Sequence, residues 1–277
     1  MKGYRIPQLV HFYASHDMIQ AHTKLPELAS ARVGLLCAFM SRSHQAKLGR
    51  LPEIVTSLVQ LALDTHDTVE LASEHGDDRN MRSRQLKVLA GDYFSSRFYH
   101  LLAQAGQIDA IYLLSRAVCE VNRMKMTMVD KMKQFKMTAE SYMLERTKLK
   151  QCVFQAWDTG MRAQDAELWG KALHDLSHLE VVEQEIKKTE SHSSFDGSYA
   201  YWRILQEGTS EEQALLKDRA WDESIWKELI TKYQVQSALE SMLEQASKQV
   251  GDVLNQCKRQ LQLDVEVIEN EVPSLST

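Results

Sequence analysis

Between Pro52 and Pro273 the chain contains no proline, and that interval covers most of its 277 residues. Proline and glycine punctuate strand-and-turn architectures, and glycine is also sparse, at 11 residues. Leu, Ala, Glu, Gln, Lys and Met fill the interval instead, all of them good helix formers. The sequence therefore predicts an all-α fold.

Size and charge narrow the function classes. Hydrophobic residues make up 44% and charged residues 26%, the composition of a packed protein and not of a disordered one. The formal net charge of −5 argues against a sequence-independent grip on nucleic acid, which needs many Lys and Arg contacts to phosphate. Cys37, Cys119, Cys152 and Cys257 are widely spaced and include no C-x-x-C pair, so neither a disulfide framework nor a thiolate zinc site is expected. Reduced thiols, no transmembrane run and no signal-peptide core in MKGYRIPQLVHFY together predict a cytoplasmic protein.

Apolar periodicity lays out the helices. Residues 1–24 are poorly patterned. Helical patterns follow over Leu28 to Met40, Pro52 to about Leu71, Arg84 to Ala105, Ile108 to Lys136, Ala139 to Trp157, Glu167 to Lys188, Tyr199 to Gln206 and Trp226 to Leu261. Gly106 stands where a helix C-cap would. Nothing resembles an interdomain linker except Glu190 to Gly197, and the simpler reading is a single helical bundle domain over 1–263, followed by an acidic, disordered tail over 264–277.

The second helix carries the chemistry. It reads Leu63-Asp64-Thr65-His66-Asp67-Thr68-Val69-Glu70, which puts Asp64 and Asp67 three residues apart on one helical face, a spacing able to hold a divalent ion. The polar stretch Glu74 to Asp78 follows, then the cations Arg79, Arg82, Arg84 and Lys87, then Val88-Leu-Ala-Gly-Asp-Tyr-Phe94. Cations beside helical carboxylates suggest a diphosphate ligand. Asp64, His66, Asp67, Arg82, Arg84 and Lys87 are thus candidate substrate or partner contacts. Surface ion pairs and a solvated helix face remain the plainer reading of the same residues.

An acidic helix, a loop, an arginine cluster and VLAGDYF together resemble the trans-polyprenyl diphosphate synthases, best over residues 58 to 105. Within that class the wording ALDTHD followed by RQLKVLAGDYF is most similar to component 1, the small subunit of two-component heptaprenyl diphosphate synthases. Gly91, Asp92 and Tyr93 are its signature here, read as a helix-packing feature, since glycine lets helices approach closely.

The departures from the catalytic pattern are as informative. The resemblance implies an H-D-D-x-x-D motif whose aspartates bind Mg²⁺; here Asp67 takes the first aspartate position, Thr68 the second and Leu71 the last. A leucine offers no oxygen to an ion that demands hard donors in near-octahedral array. Arg82 and Arg84 are separated where the family has an adjacent pair, and no G-G-K-x-x-R or second D-D-x-x-D motif is present. The resemblance therefore implies a regulatory subunit with no metal site or catalytic residue of its own. It would be inactive alone, and its partner would be a D-D-x-x-D subunit, component 2, that carries the Mg²⁺. The pair would elongate farnesyl diphosphate with isopentenyl diphosphate for the menaquinone side chain, and this chain would influence product length. The rival expectations are a scaffold or binding protein on the same fold, unconnected to prenyl transfer, and a self-sufficient synthase that uses Asp64 and Asp67 for a single metal ion.

Two further features stand out. Met124, Met128 and Met132 recur every four residues with cations alongside; they read either as a core stripe or as a partner interface, and the resemblance favours the latter. His174 and His178 lie one helical turn apart, but Asp175 stands where an H-E-x-x-H zinc motif needs Glu, so no metal site is assigned there.

Overall fold

The computed structural model describes residues 6–22, 25–69 and 78–272. Among these residues every regular element is a helix: α1 (Ile6–Ala14), α2 (Asp17–His22), α3 (Ser30–Met40), α4 (Leu51–Asp67), α5 (Asp78–Gln104), α6 (Ile108–Lys133), α7 (Ala139–Cys152), α8 (Ala163–Lys188), α9 (Tyr199–Glu207), α10 (Ser210–Lys217), α11 (Glu223–Lys232), α12 (Val235–Leu261) and α13 (Glu266–Asn270). Short 3₁₀ turns fall at Ala46–Leu48, Phe154–Gly160 and His192–Ser194. The all-α expectation holds. A single domain is expected over 1–263; the described residues fall into two compact units, one from within 6–120, 152–169 and 263–272, the other from 121–151 and 170–262.

The first unit is organised by α4. Pro52 occupies its first turn, where the absent N–H costs nothing. Thirteen of its seventeen residues are buried, so this helix is covered on nearly all sides by α1, α3 and α5 instead of exposing a polar face. Polar residues tolerated inside it satisfy themselves locally. Ser57 Oγ donates to the Glu53 carbonyl and Thr65 Oγ1 to the Leu61 carbonyl, while Thr56 Oγ1 accepts from Trp157 Nε1 at 2.7 Å. Arg32 on α3 is also buried, its guanidinium lying 4.7 Å from the centre of the Phe154 ring. Gly106, at φ 66°, ends α5 as expected: its N–H donates to the Ala103 carbonyl and the Gln107 N–H to the Leu102 carbonyl.

The tail departs from expectation. Residues 263–272 belong to the first unit, α13 packs on α3, and Leu263, Val265, Ile268 and Val272 are buried. The acidic residues between them face outward, so a helical turn with one apolar stripe forms where net charge alone suggests disorder. Residues 273–277 lie outside the described residues.

The second unit packs around an aromatic core that includes Tyr142, Phe195, Tyr199, Tyr201, Trp202 and Trp226. Two sequence expectations change here. The helix expected over Trp226 to Leu261 is two helices, broken at Tyr233-Gln234, where Gln234 takes a left-handed conformation with φ 47°. The unforeseen α10 starts on a capping box: Thr209 Oγ1 accepts from the Glu212 N–H at 3.3 Å, and the Glu212 carboxylate accepts from the Thr209 N–H at 2.9 Å.

Candidate functional site

The sequence-predicted site sits where the C-terminal end of α4 meets α5, and the two helices run antiparallel there, pairing His66 with Gly91–Asp92 and Thr68 with Lys87. The last carbonyls of a helix have no partner within it and carry negative potential. Lys87 Nζ donates to the Thr68 carbonyl at 2.9 Å, and the Thr68 hydroxyl donates to the Thr65 carbonyl at 2.7 Å. Lys87 therefore closes the end of α4.

His66 Nε2 approaches Asp92 Oδ1 at 3.6 Å, with both side chains open to solvent. The imidazole lies flat against α5 at Gly91. A Cβ added there would fall 2.5 Å from His66 Cε1, so any larger residue would displace the ring and with it the contact to Asp92. Tyr93 is half-buried, meeting the His16 ring edge-on at 5.5 Å between centroids, and Arg97 stands over the Tyr93 and Tyr13 rings. Gly91, Asp92 and Tyr93 thus act on their neighbours by packing and by the approach of Asp92 to His66.

Asp64 Oδ1 accepts from Gln60 Nε2, one turn back on its own helix, at 2.8 Å, and Asp67 is exposed at the last position of α4. Arg82 is exposed and Arg84 half-buried on α5. Leu71 and the loop to Asp77 lie outside the described residues, as does the Arg79 side chain. Among the described residues no group of three His, Cys, Asp or Glu side chains could hold a metal ion.

The methionine stripe turns inward. Met128 is 7% exposed in the core of the second unit, and Met132 is partly buried against the same core. Met124 is half-buried. The assignment of Met128 to a partner interface is corrected: its side chain is taken up by the chain's own packing. The neighbouring face of α6 carries the exposed apolar residues, with Ile108 66% and Tyr112 60% exposed in the first unit, and Met126 and Val129 exposed in the second. On α5, Val88, Leu89 and Tyr99 are exposed as well.

His174 and His178 stack with parallel rings 6.3 Å apart. Gln151 Nε2 lies 2.9 Å from His174 Nδ1 and Thr147 Oγ1 lies 3.4 Å from His178 Nδ1, while burial lowers the pKa of His178 and raises that of Asp175. Sequence reasoning missed a second buried centre, Glu185. Its carboxylate accepts from Tyr142 Oη at 2.9 Å, Lys188 Nζ at 2.7 Å and the Tyr199 N–H at 2.8 Å, anchoring the start of α9. Burial depresses the Lys188 ammonium pKa and raises that of the Tyr142 phenol. The i, i+3 spacing of Glu185 and Lys188 is the one sequence signal of this network.

The class of protein follows from the fold. The chain is similar to the decaprenyl diphosphate synthase of Rhodobacter capsulatus, with a TM-score of 0.69 at 12% identity over 98% of this chain and 92% of that one. It is likewise similar to the heptaprenyl diphosphate synthase of Staphylococcus aureus, with a TM-score of 0.66 at 10% identity over 98% and 94%. These likenesses establish an all-α fold of the trans-prenyl diphosphate synthase type. More particularly, the model of heptaprenyl diphosphate synthase (HEPPP synthase) subunit 1 matches residues 16–219, and the chain belongs to that family. Component 1 of the heptaprenyl diphosphate synthase of Geobacillus stearothermophilus is 42% identical over 78 residues, a stretch that is 28% of this chain and a third (33%) of that relative's length.

Proposed function

We propose that this chain is the non-catalytic, regulatory member of a two-component polyprenyl diphosphate synthase and needs a D-D-x-x-D partner for turnover. The observation that carries this reading is the acidic motif itself. Asp67 stands at the end of α4, followed by Thr68 and, three residues further, Leu71, where a metal-binding set would continue with carboxylates. Each lost metal contact removes charge stabilisation from a departing diphosphate, worth several kcal/mol. Ionisation of the allylic diphosphate and its Mg²⁺ then belong to the partner. Exposed Val88, Leu89, Tyr99, Ile108 and Tyr112 supply apolar surface suited to a second subunit. Among the described residues no helix is long and apolar enough to cross a membrane, in keeping with work on soluble diphosphates in the cytoplasm. Membership of the subunit 1 family supports elongation of farnesyl diphosphate by isopentenyl diphosphate as the joint reaction, with the menaquinone side chain as its use and product length dependent on both chains.

In the assembled pair, Asp67→Ala retains most prenyl-transfer activity, because the chemistry runs on the partner's carboxylates. A thousandfold fall in turnover, about 4 kcal/mol in barrier, would place metal-dependent ionisation on this chain and overturn the proposal.

A further inference from the structure

No further inference is drawn: the strongest candidate, the apolar patch that Leu9, Phe12 and Met18 leave exposed on α1 and α2 of the first unit, carries nothing, since nothing in the structure shows what covers it.

Discussion

At the scale of single residues, the chain's own packing explains several features that resemble an active site. His66, Gly91 and Asp92 form one contact, in which glycine makes room for an imidazole that reaches the carboxylate. Glu53 is the opposite case, a buried carboxylate with weak support. Arg50 Nη1 lies 3.7 Å from its Oε1, its Oε2 has no hydrogen-bond partner, and burial pushes its carboxyl pKa above the ordinary 4.5. A group that is more basic in the folded chain holds its proton more tightly there. Its contribution to stability is complete below the unfolded-state value and is lost as pH rises through the raised folded-state value. Glu53→Gln should therefore be more stable than the parent at neutral pH in urea titrations, with the difference vanishing below about pH 4.5. A less stable variant at neutral pH would mean that the Arg50 contact outweighs the cost of burial.

At the scale of elements, much of the fold was legible because the helices are amphipathic, long and free of proline. The starts of α4 and α9 and the end of α5 fell within a residue or two of the patterns that predicted them. Two misses had readable signals: Thr209 and Glu212 spell a capping box for α10, and Val265, Ile268 and Val272 mark the packed tail despite its acidic neighbours. The break at Gln234 had none, since neither glycine nor proline marks it. The site was legible only where it is local. Asp64 and Asp67 could be paired by spacing, but the meeting of His66 with Asp92 depends on how α5 returns along α4. Burial of Met128 likewise depends on α9 and its neighbours, which spacing along α6 cannot reveal. Met128→Asp places an unpaired charge in that core at a cost of several kcal/mol and should abolish cooperative thermal unfolding followed by circular dichroism. A variant that unfolds like the parent would return Met128 to the surface.

At the scale of the whole molecule, the chain has a fold of the trans-prenyl diphosphate synthase type, and the proposed reading takes its acidic motif to be incomplete at Thr68 and Leu71. Mg²⁺ needs hard oxygen donors, which on that reading the partner supplies, so that architecture and catalysis would part between two chains of one fold. The exposed apolar residues of α5 and α6 are what a chain retained for assembly would keep. The most direct test is transfer of labelled isopentenyl diphosphate to farnesyl diphosphate in the presence of Mg²⁺, using this chain alone, a D-D-x-x-D subunit alone, and the two mixed. Turnover in the mixture and in neither chain by itself is the predicted result; turnover by this chain alone, or none in the mixture, would contradict it.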